Sequence, residues 1–178
     1  MKDEYCLLQV KKILEDLKIE WFLMIGSALG YYRDGKPCPG DWDLDIGVKC
    51  SKEELINLFD VLEVNGFEKD TIWQNEGWEM NRHFYKYGYL VDIHFQFLKD
   101  EEPFFKNLQN IIYKGHIINI PSPIEEYLEL NYGKGWKVPD KRRSRPLNDA
   151  RTKINGNRQP SIETNWEKFL VCKGRYEG

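Results

Sequence analysis

The chain has 178 residues, enough for one domain that closes a core around a cleft. Its net charge of −3, with 31% charged and 14% aromatic residues, describes an ordered globular protein with no global attraction to nucleic acid or to an anionic membrane surface. No apolar run approaches the ~20 residues of a membrane span, and residues 1–20 carry acidic side chains without an apolar secretory core, so a cytoplasmic protein is expected.

Leu7, Val10, Ile13, Leu14 and Leu17 recur at helical spacing and predict an amphipathic helix over residues 3–18. Trp21 to Ile25 reads as a short buried strand that breaks at Gly26-Ser27, and Ser27 is placed to cap a short helix reaching about Arg33. Residues 34–40 are loop by composition. Asp41 to Val48 then alternates acidic and apolar residues, which predicts a strand with one wet face and one core face. Ser51-Lys52-Glu53-Glu54 is a capping box, opening a helix that buries Leu55, Leu58, Phe59 and Leu62.

Strand-like segments follow near 67–73, 78–86 and 88–97, with Tyr87-Gly88 as a turn between the last two. Lys114-Gly115 marks a second hairpin between Ile111–Tyr113 and Ile117–Ile120. Ser122-Pro123-Ile124-Glu125 reads as another capping box with proline at the first helical position, and Gly133 closes that helix. Residues 137–158 are basic and loop-like. The four cysteines (Cys6, Cys38, Cys50, Cys172) are scattered, so free thiols are expected and a structural zinc site is not. Mixed helices and hairpins make the fold class α+β, or mixed α/β.

Chemistry concentrates on the acidic strand. Residues two apart share a face, so Asp43 and Asp45 can converge on one cation, with Asp41 on the same side. Taken alone, such alternation describes a solvated strand. Other features point further. Asp92 and His94 share one face of an otherwise apolar strand, and a lone buried carboxylate there needs a partner. If the two strands are neighbours, Asp43, Asp45 and Asp92 form one oxygen-rich site for Mg²⁺ or Mn²⁺. Gly26-Ser27 can turn amides and a hydroxyl toward a phosphate, and Arg33 could reach one bidentately. His83 and His116 have no constellation around them in the sequence.

The run Gly26-Ser27-Ala28-Leu29-Gly30-Tyr31-Tyr32-Arg33, followed by Pro39-Gly40-Asp41-Trp42-Asp43-Leu44-Asp45-Ile46-Gly47, resembles the LicD/fukutin group of the nucleotidyltransferase superfamily. That group typically reads Gly-Thr-Leu-Leu-Gly-x-x-Arg, a loop, and then Pro-Trp-Asp-Asp-Asp-x-Asp-Ile-Gly. The segment from Pro121 to Tyr132-Gly133-x-x-Trp136 is similar to the group's closing motif. Gly40 and Trp42 stand where the pattern usually has Trp and Asp, and His94 where an apolar residue is commoner.

The resemblance implies a nucleotidyltransferase-fold catalytic domain over residues 1–140, with a mixed sheet flanked by helices, and a basic extension over 141–178. It implies transfer of a phosphorylated head group, of phosphocholine or alditol phosphate type, from a CDP-linked donor to a sugar or glycan hydroxyl, releasing CMP. Asp43, Asp45 and Asp92 would then be the catalytic and metal-binding residues, and Gly26, Ser27 and Arg33 would serve the donor phosphates. Asp41 and His94 are expected on the substrate side from their strand faces, and no family role transfers to His94. The general base is Asp92 or His94. Two alternatives stay open at this level: transfer of an NMP from an NTP to a small molecule, protein or RNA end, and a silent binding module that keeps the fold.

Overall fold

A helical apolar stripe, a capped helix and two tight hairpins are the local instructions, and the computed structural model shows how they combine. It describes residues 2–139 except 70–73, 76, 77, 80, 96, 98 and 99. The basic 141–178 extension and Cys172 therefore lie outside the described residues. In chain order the elements are α1 (Lys2–Asp16), β1 (Glu20–Leu23), α2 (Ile25–Arg33), β2 (Asp43–Lys49), α3 (Lys52–Val64), β3 (Glu68–Lys69), β4 (Gln74–Asn75), β5 (Trp78–Glu79), β6 (Asn81–Lys86), β7 (Tyr89–His94), α4 (Glu102–Phe105), β8 (Gln109–Tyr113), β9 (His116–Ile120) and α5 (Ile124–Tyr132).

Five strands form one sheet in the order β1-β2-β7-β6-β3. The β2–β7 pair at its centre is parallel; the β1–β2, β6–β7 and β3–β6 pairs are antiparallel. The β6–β7 turn is fixed by Tyr87 and Gly88, both at positive φ (55° and 72°), as a two-residue turn of this twist requires. Lys114 and Gly115 do the same for the β8–β9 hairpin, at 49° and 82°. That hairpin leans on the outer edge of the sheet, where the Asn119 amide donates to the Trp21 carbonyl at 2.9 Å.

Helix α3 carries the expected capping box in full and buries Leu55, Leu58, Phe59 and Leu62. Its Phe59 ring packs on Phe84 and Phe95, with centroids 5.5 and 6.1 Å away, so this helix covers the apolar face of β6 and β7. On the other face, Phe22, Phe97, Phe105 and Tyr127 form a chain of ring contacts at 4.6 to 5.7 Å.

Several local expectations are corrected. The acidic strand begins at Asp43 rather than Asp41, and it has no wet face: Leu44 through Val48 are buried on both sides, because the strand lies between β1 and β7 under helical cover. Ser27 does not cap α2. The helix begins at Ile25 with Met24 as N-cap and no side-chain capping bond. Ser122 does not cap α5 either. Pro123 occupies the N-cap, and the Gln109 side-chain oxygen accepts from the Ile124 amide at 3.3 Å. Gly133 does close α5, at φ 75° with its amide bonded to the Glu129 carbonyl. The segment read as strand over 67–73 is ordered as strand only at Glu68–Lys69, with 70–73 outside the described residues.

Candidate active site

Parallel register decides which side chains meet. Asp45 stands directly opposite Asp92, Asp43 opposite Leu90, and Gly47 opposite His94. Since partners across a strand pair share a face, Asp45, Asp92 and His94 project together. One oxygen from each carboxylate and one ring nitrogen lie within 4.8 Å of one another. His94 Nε2 is 3.4 Å from Asp45 Oδ1 and 3.3 Å from Asp92 Oδ2. Neither approach has hydrogen-bond geometry, and Nε2 is buried without a hydrogen-bond partner.

Buried charges of opposite sign pull on each other's protons. Burial alone would lower His94, but Asp92 and Asp45 outweigh it and raise the imidazole to about 10. Burial would likewise raise Asp92, yet His94 and His83 hold it well below the ordinary carboxylate range. His83 enters from β6, directly opposite Asp92, with Nε2 3.4 Å from Asp92 Oδ1. Sequence reasoning passed over it. The signal was there: a two-residue turn at Tyr87-Gly88 pairs Lys86 with Tyr89, and counting outward pairs His83 with Asp92.

The first turn of α2 lies against these carboxylates. A Cβ on Gly26 would stand 3.1 Å from Asp41 Oδ2 and 3.5 Å from Asp45 Oδ2, so glycine lets the helix start come close. Ile25, just before it, is a β-branched residue at φ 47°, a conformation that costs roughly 1–3 kcal/mol. The Tyr127 hydroxyl on α5 steadies it by accepting from the Ile25 amide at 3.1 Å. Ser27 is buried, and its Oγ accepts from the Asp45 amide at 2.9 Å. The Asp45 carbonyl accepts from Met24 at 3.0 Å. Both backbone groups of Asp45 are thereby fixed from the β1–α2 junction, so the Gly-Ser pair places a carboxylate.

Asp41 sits in the turn before β2, its amide bonded to the Cys38 carbonyl at 3.0 Å. Trp42 is 51% exposed, while Asp45 and Asp92 are each 8% exposed. The cluster therefore opens at the Asp41–Asp43 end. At the other end the Phe22 ring fills the space over Gly47, where a Cβ would meet it at 2.6 Å. Asp43 is half-buried, one pleat toward the mouth and beyond the 4.8 Å group.

Arg33 is placed elsewhere. It lies seven residues beyond Gly26 (33 − 26), about 10 Å along the helix axis. Its Nε and Nη2 bond both oxygens of Asp34 at 2.9 and 2.7 Å, and Nη1 reaches the Trp136 carbonyl at 3.0 Å. Hydrogen bonding to Asp34 raises its pKa, outweighing burial. Gly30 supports the same corner: a Cβ there would meet Cys38 N at 2.7 Å and Lys36 O at 2.8 Å. Burial pushes the Cys38 thiol up to about 11, which removes it as a nucleophile at neutral pH. Among the described residues, Cys6, Cys38 and Cys50 form no disulfide.

Whether these residues fit a divalent ion can be judged by spacing. Ligands at ~2.1 Å from an octahedral ion stand roughly 3 Å apart when adjacent and about 4 Å apart when opposed. His94 Nε2, buried without a hydrogen-bond partner, stands 3.4 and 3.3 Å from one oxygen of each aspartate. The three ligand atoms lie within 4.8 Å of one another, close enough to converge on one ion with small side-chain shifts. The residues fit.

Paired carboxylates on a parallel strand pair, beneath the start of a helix on a mixed sheet, are the framework of a nucleotidyltransferase-fold transferase. Residues 18–121 match the family model described as LicD/FKTN/FKRP, nucleotidyltransferase domain, and the chain belongs to that family. No curated protein matches it in sequence. Among solved structures, the solution structure of the antibiotic-resistance factor ANT(2'')-Ia is similar over 96% of this chain and 91% of its own, with 13% identity and a TM-score of 0.55, a likeness of fold alone. An antigenic nucleotidyltransferase-like protein from Paracoccidioides brasiliensis is similar over 70% of this chain and 63% of its own, with 19% identity and a TM-score of 0.43. Among the described residues no helix is long and apolar enough to cross a membrane.

Proposed function

We propose that the protein is a divalent-metal-dependent phosphotransferase that moves a phosphorylated head group, of phosphocholine or alditol phosphate type, from a CDP-linked donor to a sugar hydroxyl, releasing CMP. The observation that carries this reading is the Asp45–Asp92 pair, aligned in register beneath the first turn of α2. Membership of the LicD/FKTN/FKRP family supports the donor class.

Asp45 and Asp92 would hold the ion, with Asp43 completing the site from the mouth. When bound, Mg²⁺ or Mn²⁺ neutralises the diphosphate and stabilises the departing nucleotide. Gly26 lets the positive end of α2 approach Asp41 and Asp45, where a donor phosphate would bind beside the ion. The acceptor hydroxyl oxygen forms the new bond to the head-group phosphorus, the bond to the CMP oxygen breaks, and CMP leaves with the electron pair. The hydroxyl proton passes to Asp92, held in orientation by His83. Ser27 positions Asp45 rather than a phosphate, and Arg33 acts through the 34–38 loop that leads to Asp41.

Incubation with a CDP-linked alcohol and a glycan acceptor tests the assignment. CMP release that depends on the acceptor and on a divalent ion is the expected result. Pyrophosphate release from an NTP, with no CMP formed from any CDP donor, would move the protein to NMP transfer.

A further inference from the structure

The carboxylates explain why a cation would bind; they do not explain His94. It lies on the same face of the parallel β2–β7 pair as Asp45 and Asp92, two residues beyond Asp92. Its Nε2 points at an oxygen of each, 3.4 and 3.3 Å away, with no hydrogen-bond geometry to either. One ring nitrogen carries at most one proton and cannot bond two acceptors well. Once its proton is displaced by the incoming cation, it can donate a lone pair to an ion seated between them.

We infer that His94 is itself a metal ligand, and that the site is a mixed nitrogen–oxygen one selecting a first-row transition ion such as Mn²⁺ over Mg²⁺. The inference rests on the metal-dependent reading above and adds the identity of the ion. Mg²⁺ takes oxygen ligands and gives up water reluctantly, whereas imidazole binding strengthens across the first-row series. Two carboxylates beside one imidazole keep the set hard enough for Mn²⁺. A competing role exists: His94 as a protonated counter-ion holding the two aspartates together, displaced or bypassed when metal arrives. Only direct ligation gives the ion a nitrogen neighbour.

The test uses the full chain with Mn²⁺, Mg²⁺ and Co²⁺ alone. Mn²⁺ binding is followed by loss of its free-ion electron paramagnetic resonance signal, Mg²⁺ by competition, and the bound Mn²⁺ by pulsed measurement of directly bonded ¹⁴N. The wild-type protein is expected to prefer Mn²⁺ over Mg²⁺ by roughly tenfold or more, Co²⁺ more strongly still, and to show an imidazole ¹⁴N coupling. His94→Gln, with an unchanged circular dichroism spectrum, should lose the coupling and bring the two affinities toward parity. Bound Mn²⁺ without ¹⁴N coupling, or an unchanged Mn²⁺/Mg²⁺ ratio in His94→Gln, overturns the inference while leaving the carboxylate site standing. No binding of any ion by the wild type overturns both. If His94→Gln fails to fold, the wild-type ¹⁴N measurement decides.

Discussion

Helices α3 and α2 pack against opposite faces of one sheet and are held there by opposite means. Helix α3 brings its own stops and starts: the Ser51–Glu54 capping box, an apolar stripe, and an Asn65 cap at its end. Helix α2 has no side-chain cap and opens on a strained Ile25. It is held by residues a hundred positions away, with Tyr127 on the Ile25 amide and the Trp136 carbonyl on Arg33. The difference follows from what each helix does. Helix α3 only covers apolar rings, whereas α2 must bring its first turn close to buried carboxylates, a placement that local propensity does not favour. Strain and buried charge collect in the second region, where the rest of the fold over-determines the geometry.

The comparison can be broken or sharpened by substitution. The largest effect on stability is expected from Gly30→Ala. Its Cβ would press on the backbone at Cys38 and Lys36, which cannot yield as a side-chain tip would, so we expect a loss of about 2–3 kcal/mol in denaturant unfolding. A neutral result would mean that the 34–38 loop is not locked against α2. Arg33→Ala comes next. It strips the buried contacts to Asp34 and Trp136, and roughly 1–3 kcal/mol should be lost with no recovery in Arg33→Lys, whose ammonium cannot make the fork. Calorimetry on the same variants separates anchor from ligand: weakened donor binding at an unchanged melting temperature would return Arg33 to the phosphates. Ser51→Ala should have the smallest effect, about 1 kcal/mol, with metal binding untouched, because it removes a local cap from the region outside the site.

That contrast also sets what could be read from the sequence. Helix α3, both hairpin turns and the α5 stop at Gly133 were legible, since each is written within a few consecutive residues. The convergence of Asp45 with Asp92 was legible as a conditional: two acidic strands would make one site if they were neighbours, and they are. Less accessible was the cover over β2. Alternation of acidic and apolar residues suggests a wet face, and nothing in residues 41–48 announces that α2 buries it. Ser27 looked like a cap because a Ser after a strand usually is one, but its hydroxyl turns inward to the Asp45 amide, a partner eighteen residues away. Arg33 looked like a phosphate ligand because the acidic Asp34 beside it was not weighed as its partner. His83 was missed although the hairpin register already placed it, and His94 was read as a candidate base or substrate contact because its approach to both aspartates depends on the β2–β7 pairing.

The central claim is that Asp45 and Asp92 together hold the ion that makes nucleotide binding productive. Thermal unfolding of the wild type, Asp45→Asn and Asp92→Asn with a CDP-linked alcohol, with and without Mn²⁺, tests it most directly. In the wild type, ligand at about a hundred times its Kd should stabilise the fold by about 2.7 kcal/mol, and only when Mn²⁺ is present. Each Asn variant should fold and lose that metal-dependent increment. Full retention of the increment in both variants would contradict the claim.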